Sequence, residues 1–422
     1  MSSTILTAPP RTKISVALEA HRLPVEDKPR LDFLDGIRGW AAFYVVFHHI
    51  SQIYLDESAK PEAGYYWFSP LMQLGHFAVA IFILLSGFCL MLPVARSNDG
   101  CLRGGFAGYF WRRVRRIVPA YYAAIALCFL LVAFVPAMRR HDVEFWNYAF
   151  AGDDWRSFFD WKVLTSHLLI LHALNPNWIN RIDPPMWSVG VEWLNYFLMP
   201  LLLIPIWKRA GNVALVVFAT ALSFLPYATQ PIFHHKHYTM YWAHPWYLAL
   251  FAIGMAGAGL LYAKPTGLRK IDGFILKCAL HPGIVLLLAG AIYLSRHQRV
   301  PMDFLIGAAT LSVILHCAAG TTLGRYFRKP LESKFAIWLG AISYSLYLFH
   351  GPLLMLLHRL IEPQHLTAGV RLAAMTGAGV PLTLLAGWIG YRVFERPFMG
   401  QAKKVSAEKT AQPDVATATA SS

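Results

Sequence analysis

Charge is scarce in this chain. Only 14 % of its 422 residues are Asp, Glu, Lys or Arg, while 56 % are hydrophobic. Soluble domains carry roughly 25 % charged residues. A soluble chain this apolar would hold more hydrophobic surface than it could bury, which excludes an ordinary soluble enzyme and points to a polytopic membrane protein. Cysteine is scarce too. Cys89, Cys101, Cys128, Cys278 and Cys317 are scattered, and three of them (Cys89, Cys128 and Cys317) fall in apolar runs. That excludes a disulfide framework and a zinc-ligand spacing. The first thirty residues lack an apolar run, so no cleavable signal peptide is expected.

What the chain has is long hydrophobic segments. Runs near membrane-spanning length fall at about 35–54, 73–94, 115–136, 187–206, 212–230, 246–263, 280–295, 301–320, 335–358 and 372–394. A span needs roughly 20 apolar residues. The seventh run is short and the fifth carries Pro226. Residues 163–174 are apolar as well, but their length suits an interfacial or re-entrant piece. Placing the N-terminus inside puts 26 of the 38 Lys and Arg residues on the inner side and 11 outside, with Arg38 in the first span. The formal charge of +15 is thus a matter of membrane topology and not of nucleic acid. The expected fold is all-α, a polytopic membrane protein of about ten transmembrane helices with both termini cytoplasmic. Residues 1–30 and 401–422 are expected to be disordered cytoplasmic tails around one membrane domain, 31–400.

The first span reads Leu34-Asp-Gly-Ile-Arg-Gly-Trp and ends in His48 and His49. Arg38 and His49 are eleven residues apart, about three helical turns, so they project from nearly the same face roughly 16 Å apart. They cannot touch, but one elongated ligand can touch both. Asp35 can cap the first turn. The helix start and Arg38 form an anion site at the cytoplasmic surface. His49 lies at membrane depth, where an ionisable group is costly and therefore a functional candidate. The bland readings are a snorkelling Arg38 and satisfied core histidines.

Other ionisable groups recur at similar depth. Glu192 sits in "MWSVGVEWLNYF", His350 in "ISYSLYLFHGPLL" and His76 in "LGHFAVAIF". A carboxylate beside an imidazole fixes its tautomer and raises its basicity. The competing reading is a polar network that holds helices together. Arg112, Arg113, Arg115 and Arg116 precede the third span, as an ordinary positive-inside cluster or as a phosphate clamp with Arg38. Ser86 in "LLSGF" suits close helix packing better than nucleophilic attack. His234, His235 and His237 offer no clear fourth metal ligand, so no metal is expected.

Together these segments resemble the acyltransferase-3 family of integral membrane acyltransferases. Leu34-Asp35-Gly36-Ile37-Arg38-Gly39 with His49, then "FILLSGF", Arg113-Val-Arg-Arg116-Ile-Val-Pro119, "WSVGVEW", "SYSLYLFH" and "YRVFERPF" follow in that family's order from about residue 31 to 398. The chain departs from the pattern where Trp193 and Leu194 replace an acid and a glutamine, and where Ala80 replaces an acid. It resembles the stand-alone form without an esterase-like domain. The resemblance implies a multi-pass protein of the plasma or inner membrane. It implies transfer of an acyl group, often acetyl, from acyl-CoA to a hydroxyl of a carbohydrate, lipid-linked sugar or other small molecule. His49 is then expected as general base, with Glu192 orienting it or the acceptor and His350 or Trp187 facing the oxyanion. Arg38, Arg113 and Arg116 are expected to hold the CoA phosphates, and Trp187, Ser188, His76 and Tyr347 the acceptor. The alternative is a proton-coupled transporter that uses the intramembrane His and Glu residues as a relay.

Overall fold

A computed structural model of the chain describes residues 31–57, 74–151, 154–233, 243–263 and 299–399. Both expected tails, the seventh expected span and the His234, His235 and His237 cluster lie outside the described residues. Among those described there is no β-strand. The main helices are α1 (Asp32–Glu57), α2 (Gly75–Arg96), α3 (Gly105–Phe134), α4 (Trp161–Leu168), α5 (Trp187–Leu198), α6 (Ile204–Phe233), α7 (Tyr247–Tyr262), α8 (Arg299–Ala319), α9 (Thr322–Leu331), α10 (Lys334–Ile361) and α11 (Ala368–Gly390).

Six helical stretches among the described residues are long and apolar enough to cross a membrane: Gly75–Arg96, Gly105–Phe134, Pro184–Pro226, Val300–Ala319, Lys334–Gln364 and Ala368–Met399. The chain is a multi-pass membrane protein. Pro184–Pro226 covers both the fourth and the fifth expected spans, and it is not one rod. A π turn interrupts it at Met199–Leu203. Gly211, at φ 81 and ψ −171, then breaks the helical path, a conformation that glycine alone adopts without strain. α7 has only 16 residues but is almost wholly buried.

Lipid tails are as apolar as leucine, so burying leucine does little to hold two spans together; close backbone approach does more. The most extensive helix contacts are α1 with α10, α2 with α7, and α10 with α11. Glycines make the first two possible. A Cβ on Gly39 would strike the Gly340 amide of α10, and one on Gly340 would strike the Asp35 carbonyl of α1. Between α2 and α7 the arrangement is reciprocal: a Cβ on Gly87 would meet the Phe251 carbonyl, and one on Gly254 the Leu84 carbonyl. The glycine of "LLSGF" is therefore a packing residue. The last motif is structural as well. The Glu395 carboxylate, 2 % exposed, accepts from the Ser345 amide at 3.0 Å and from the Ser345 hydroxyl. It pins the end of α11 to α10.

Residues 135–183 form a cap between α3 and α5. Salt bridges clasp it to the end of α10: Arg359 to Asp142 at 2.5 Å and Arg140 to Glu362 at 2.6 Å. Inside the cap the His167 and His172 rings stack at 4.2 Å with neither exposed. His167 Nδ1 donates to the Val163 carbonyl at 2.9 Å, and His172 Nε2 to the Met186 carbonyl at 3.1 Å. Burial pushes His167 down to about 4, against the Val163 carbonyl, which favours the charged ring. Burial lowers His172 too, with the neighbouring His167 adding to it. The unfolded chain therefore takes up protons first as pH falls, and stability is lost from about pH 6.5 down toward His167's folded value. The loss from His167 alone is expected to reach roughly 3 kcal/mol. A melting series between pH 7.5 and 4.5 tests this; His167→Phe should flatten the slope while keeping the stack.

Candidate active site

One cavity runs into the bundle between α1, α2, α3, α5 and α10. It encloses about 1330 Å³ of empty space, part of it open to solvent. Five guanidinium side chains line it: Arg38, Arg103, Arg112, Arg113 and Arg116, with Glu192 as the single acid among the lining residues. Arg38 is held by Asp35 at 3.1 Å and lies 3.6 Å from Cys89 Sγ. Arg112 donates to the Arg103 carbonyl at 2.7 Å. Arg113 Nε is buried with no hydrogen-bond partner among the described residues. A buried donor without an acceptor is rare and calls for a ligand or a water to complete it. So many cations around a single acid suit an anion with several oxygens.

Glu192 belongs to this basic end. Its Oε1 accepts from the Tyr196 hydroxyl at 2.6 Å, and Ser86 Oγ in turn donates to Tyr196 at 3.3 Å. The partner of His49 is a different residue. Ser86 lines the cavity, but its proton is committed to Tyr196.

Ser188 and Tyr347 line the cavity as well. The Tyr347 hydroxyl donates to the Pro185 carbonyl at 2.8 Å, so its contact with Ser188 Oγ at 2.7 Å is a bond donated by the serine. The Tyr347 ring lies 5.6 Å from that of His350. His350 is fully buried. Its Nδ1 is 2.6 Å from the Tyr347 carbonyl, and its Nε2 is 2.6 Å from His49 Nδ1. A carbonyl only accepts, so His350 Nδ1 carries the hydrogen. The lone pair of a neutral His350 is then on Nε2, and His49 Nδ1 must donate to it. This leaves the lone pair of His49 on Nε2, where a proton can be taken up. His49 is partly exposed, against Phe145 at 4.8 Å. Neither His49 nor His350 is among the residues that line the cavity.

His76 occupies a separate group. Its Nε2 is 3.1 Å from both Asp303 Oδ2 and the Tyr247 hydroxyl, and its ring is parallel to that of Trp187 within 14°, 6.1 Å away. Asp303 was not anticipated, although an Asp four residues into an apolar run ("VPMDFLIG") is itself a signal. Asp183 was also missed. It is wholly buried, neither carboxylate oxygen has a partner among the described residues, and burial holds it well above the usual carboxylate range. No group of three or more His, Cys, Asp or Glu among the described residues is arranged to hold a metal ion.

The chain matches the family described as "Acyltransferase domain" over residues 31–392. Acyltransferase MdmB of Streptomyces mycarofaciens is 26 % identical over 398 residues, covering 88 % of this chain and 92 % of its own. A putative peptidoglycan O-acetyltransferase of Bacillus subtilis (strain 168), YrhL, is 24 % identical over 346 residues, 76 % of this chain but 48 % of that protein. The putative acetyltransferase ORF330 of Acidianus two-tailed virus is 23 % identical over 355 residues, 81 % of this chain and 87 % of its own. No solved structure matches the chain significantly.

Proposed function

The chain belongs to the acyltransferase-domain family and is a multi-pass membrane O-acyltransferase, and we propose that it moves an acyl group from acyl-CoA to a hydroxyl with His49 as general base. The arrangement that carries this reading is the cavity itself. It offers guanidiniums to phosphates, and its lining includes Tyr347, whose ring lies 5.6 Å from that of His350, the partner of His49. CoA has phosphates at one end and a thioester at the end of a long arm. Arg38, Arg113 and Arg116 would hold the phosphates. The thioester would descend along α1 toward Tyr347 and His49.

His49 Nε2 takes the proton of the acceptor hydroxyl as its oxygen attacks the thioester carbonyl. The tetrahedral intermediate collapses, the carbon–sulfur bond breaks, and the thiolate leaves with the proton that His49 held. His350 fixes the tautomer in which Nε2 is free. Glu192, bonded to Tyr196, shapes the donor cavity and balances the arginines. Trp187, Ser188, Tyr347 and His76 face the acceptor. The name of the Bacillus relative supports acetyl as the group moved and a sugar hydroxyl as the receiver. The Lys and Arg distribution supports one membrane domain, about residues 31–400, of about ten spans with both ends cytoplasmic.

Purified protein, labelled acetyl-CoA and an extract of host glycans and metabolites, followed by mass spectrometry, test the reading. Free CoA should appear in step with one acetylated product. Flux of a solute without CoA release would favour a transporter instead. Arg38→Ala and Arg113→Ala should each weaken CoA binding, read by calorimetric titration, by roughly 10- to 100-fold, the range for losing a charge-assisted hydrogen bond.

A further inference from the structure

Asp303 is 0 % exposed, near the start of α8; its Oδ1 has no hydrogen-bond partner among the described residues, and its donors gather on Oδ2. Two indole and imidazole N–H groups converge on Oδ2: Trp246 Nε1 at 2.8 Å and His76 Nε2 at 3.1 Å. With Oδ2 as the acceptor of both groups, the hydrogen of His76 is on Nε2. The Tyr247 hydroxyl, 3.1 Å from the same nitrogen, then offers its oxygen to a shared bond. The lone pair of His76 is left on Nδ1, at the other polar edge of the ring, and Nδ1 has no partner among the described residues.

The surroundings are flat and half-exposed. The His76 ring is 14° from parallel with Trp187 and 5.5 Å from His244. Trp187 and His244 stack at 4.2 Å and 24°. His244 holds φ at 47, a left-handed backbone that is uncommon outside glycine and persists where neighbours enforce it. α2, α5, α7 and α8 all begin here, next to Ser188 of the cavity lining and next to Gly75, which packs on the His48 ring. Buried carboxylate, imidazole nitrogen and stacked rings form a site with one directional acceptor beside an aromatic stack. That combination suits a ring bearing hydroxyls, with its carbon face on the aromatics and one O–H donated to His76.

On the reading that the chain acylates a hydroxyl, we propose that His76 binds a cyclic polyol acceptor through Nδ1 beside the Trp187–His244 stack, and that Asp303 is the positioning residue that fixes His76 in this tautomer. Lipid-embedded enzyme supplied with labelled acetyl-CoA tests it, with methyl β-D-glucopyranoside as ring probe and glycerol as open-chain probe. Wild type should acetylate the pyranoside in preference to glycerol. Asp303→Asn and His76→Phe should each raise KM for the pyranoside roughly tenfold, with no rise in KM for acetyl-CoA. His76→Asn, whose amide oxygen replaces Nδ1, should recover part of the loss, and Asp303→Asn should add nothing in that background. An unchanged pyranoside KM, an equal rise in the acetyl-CoA KM, or an additive double variant would overturn the assignment. A wild type that consumes acetyl-CoA but does not favour the pyranoside removes the cyclic-acceptor inference and leaves the acyl-CoA reading standing. A wild type that consumes no acetyl-CoA removes the functional reading itself.

Discussion

His49→Ala should lower acyl transfer by about 10²–10⁴-fold, the usual contribution of a positioned general base, while CoA still binds. The expectation follows from the direction of two hydrogen bonds. The Tyr347 carbonyl forces the hydrogen of His350 onto Nδ1, and His350 Nε2 then forces that of His49 onto its own Nδ1. Only His49 Nε2 remains to accept a proton. Removing the imidazole removes the acceptor of that proton but no arginine, so donor affinity should survive. Chemical quenching of a single turnover measures the first quantity and calorimetric titration of CoA the second. His350→Phe keeps a ring against His49 but has no lone pair for it. It should lose less activity than His49→Ala and move the pH profile of kcat/KM, because His49 is then free to sample both tautomers. Full turnover by His49→Ala would place the base elsewhere.

The second large effect concerns assembly. Gly87→Val or Gly254→Val should leave little folded protein. Each new Cβ lands on a backbone carbonyl of the facing helix, Phe251 for the first and Leu84 for the second. Backbone cannot swing aside as a side chain can, so α2 and α7 must separate. Separation also strips contacts from α7, which is short and buried along almost its whole length. A loss of roughly 3–5 kcal/mol is expected for each. Gly377→Ala is the control: no atom lies within 4 Å of where its Cβ would be, and alanine favours helix by about 1 kcal/mol over glycine. Fluorescence-detected gel filtration of the three variants should show the monodisperse peak lost for the first two and kept for the third.

Much of this architecture was visible before any coordinates. The apolar runs announce α2, α3, α8, α10 and α11 because a bilayer demands contiguous hydrophobic length. Arg38 and His49 stand out because ionisable groups there are costly. What could not be seen was pairing across the chain. His350 follows His49 by 301 residues, and nothing local in either segment says that their nitrogens meet. Glu192 was visible, but not that Tyr196, one turn on, takes up its carboxylate. The break at Gly211 and the π turn at Met199–Leu203 leave hydropathy unchanged, so two expected spans emerge as one interrupted stretch. Asp303 reads as a lone acid until Trp246 and His76 are folded onto it.

Tyr347 joins two duties that are usually kept apart. Its carbonyl sets the protonation order of the histidine pair, while its hydroxyl ties Ser188 and the Pro185 carbonyl together in the wall of the cavity. A shift of this one residue would therefore move the wall of the chamber and the order of the histidine protons together, so that the shape of the bound ligand and the readiness of the base are read by a single side chain and its own backbone.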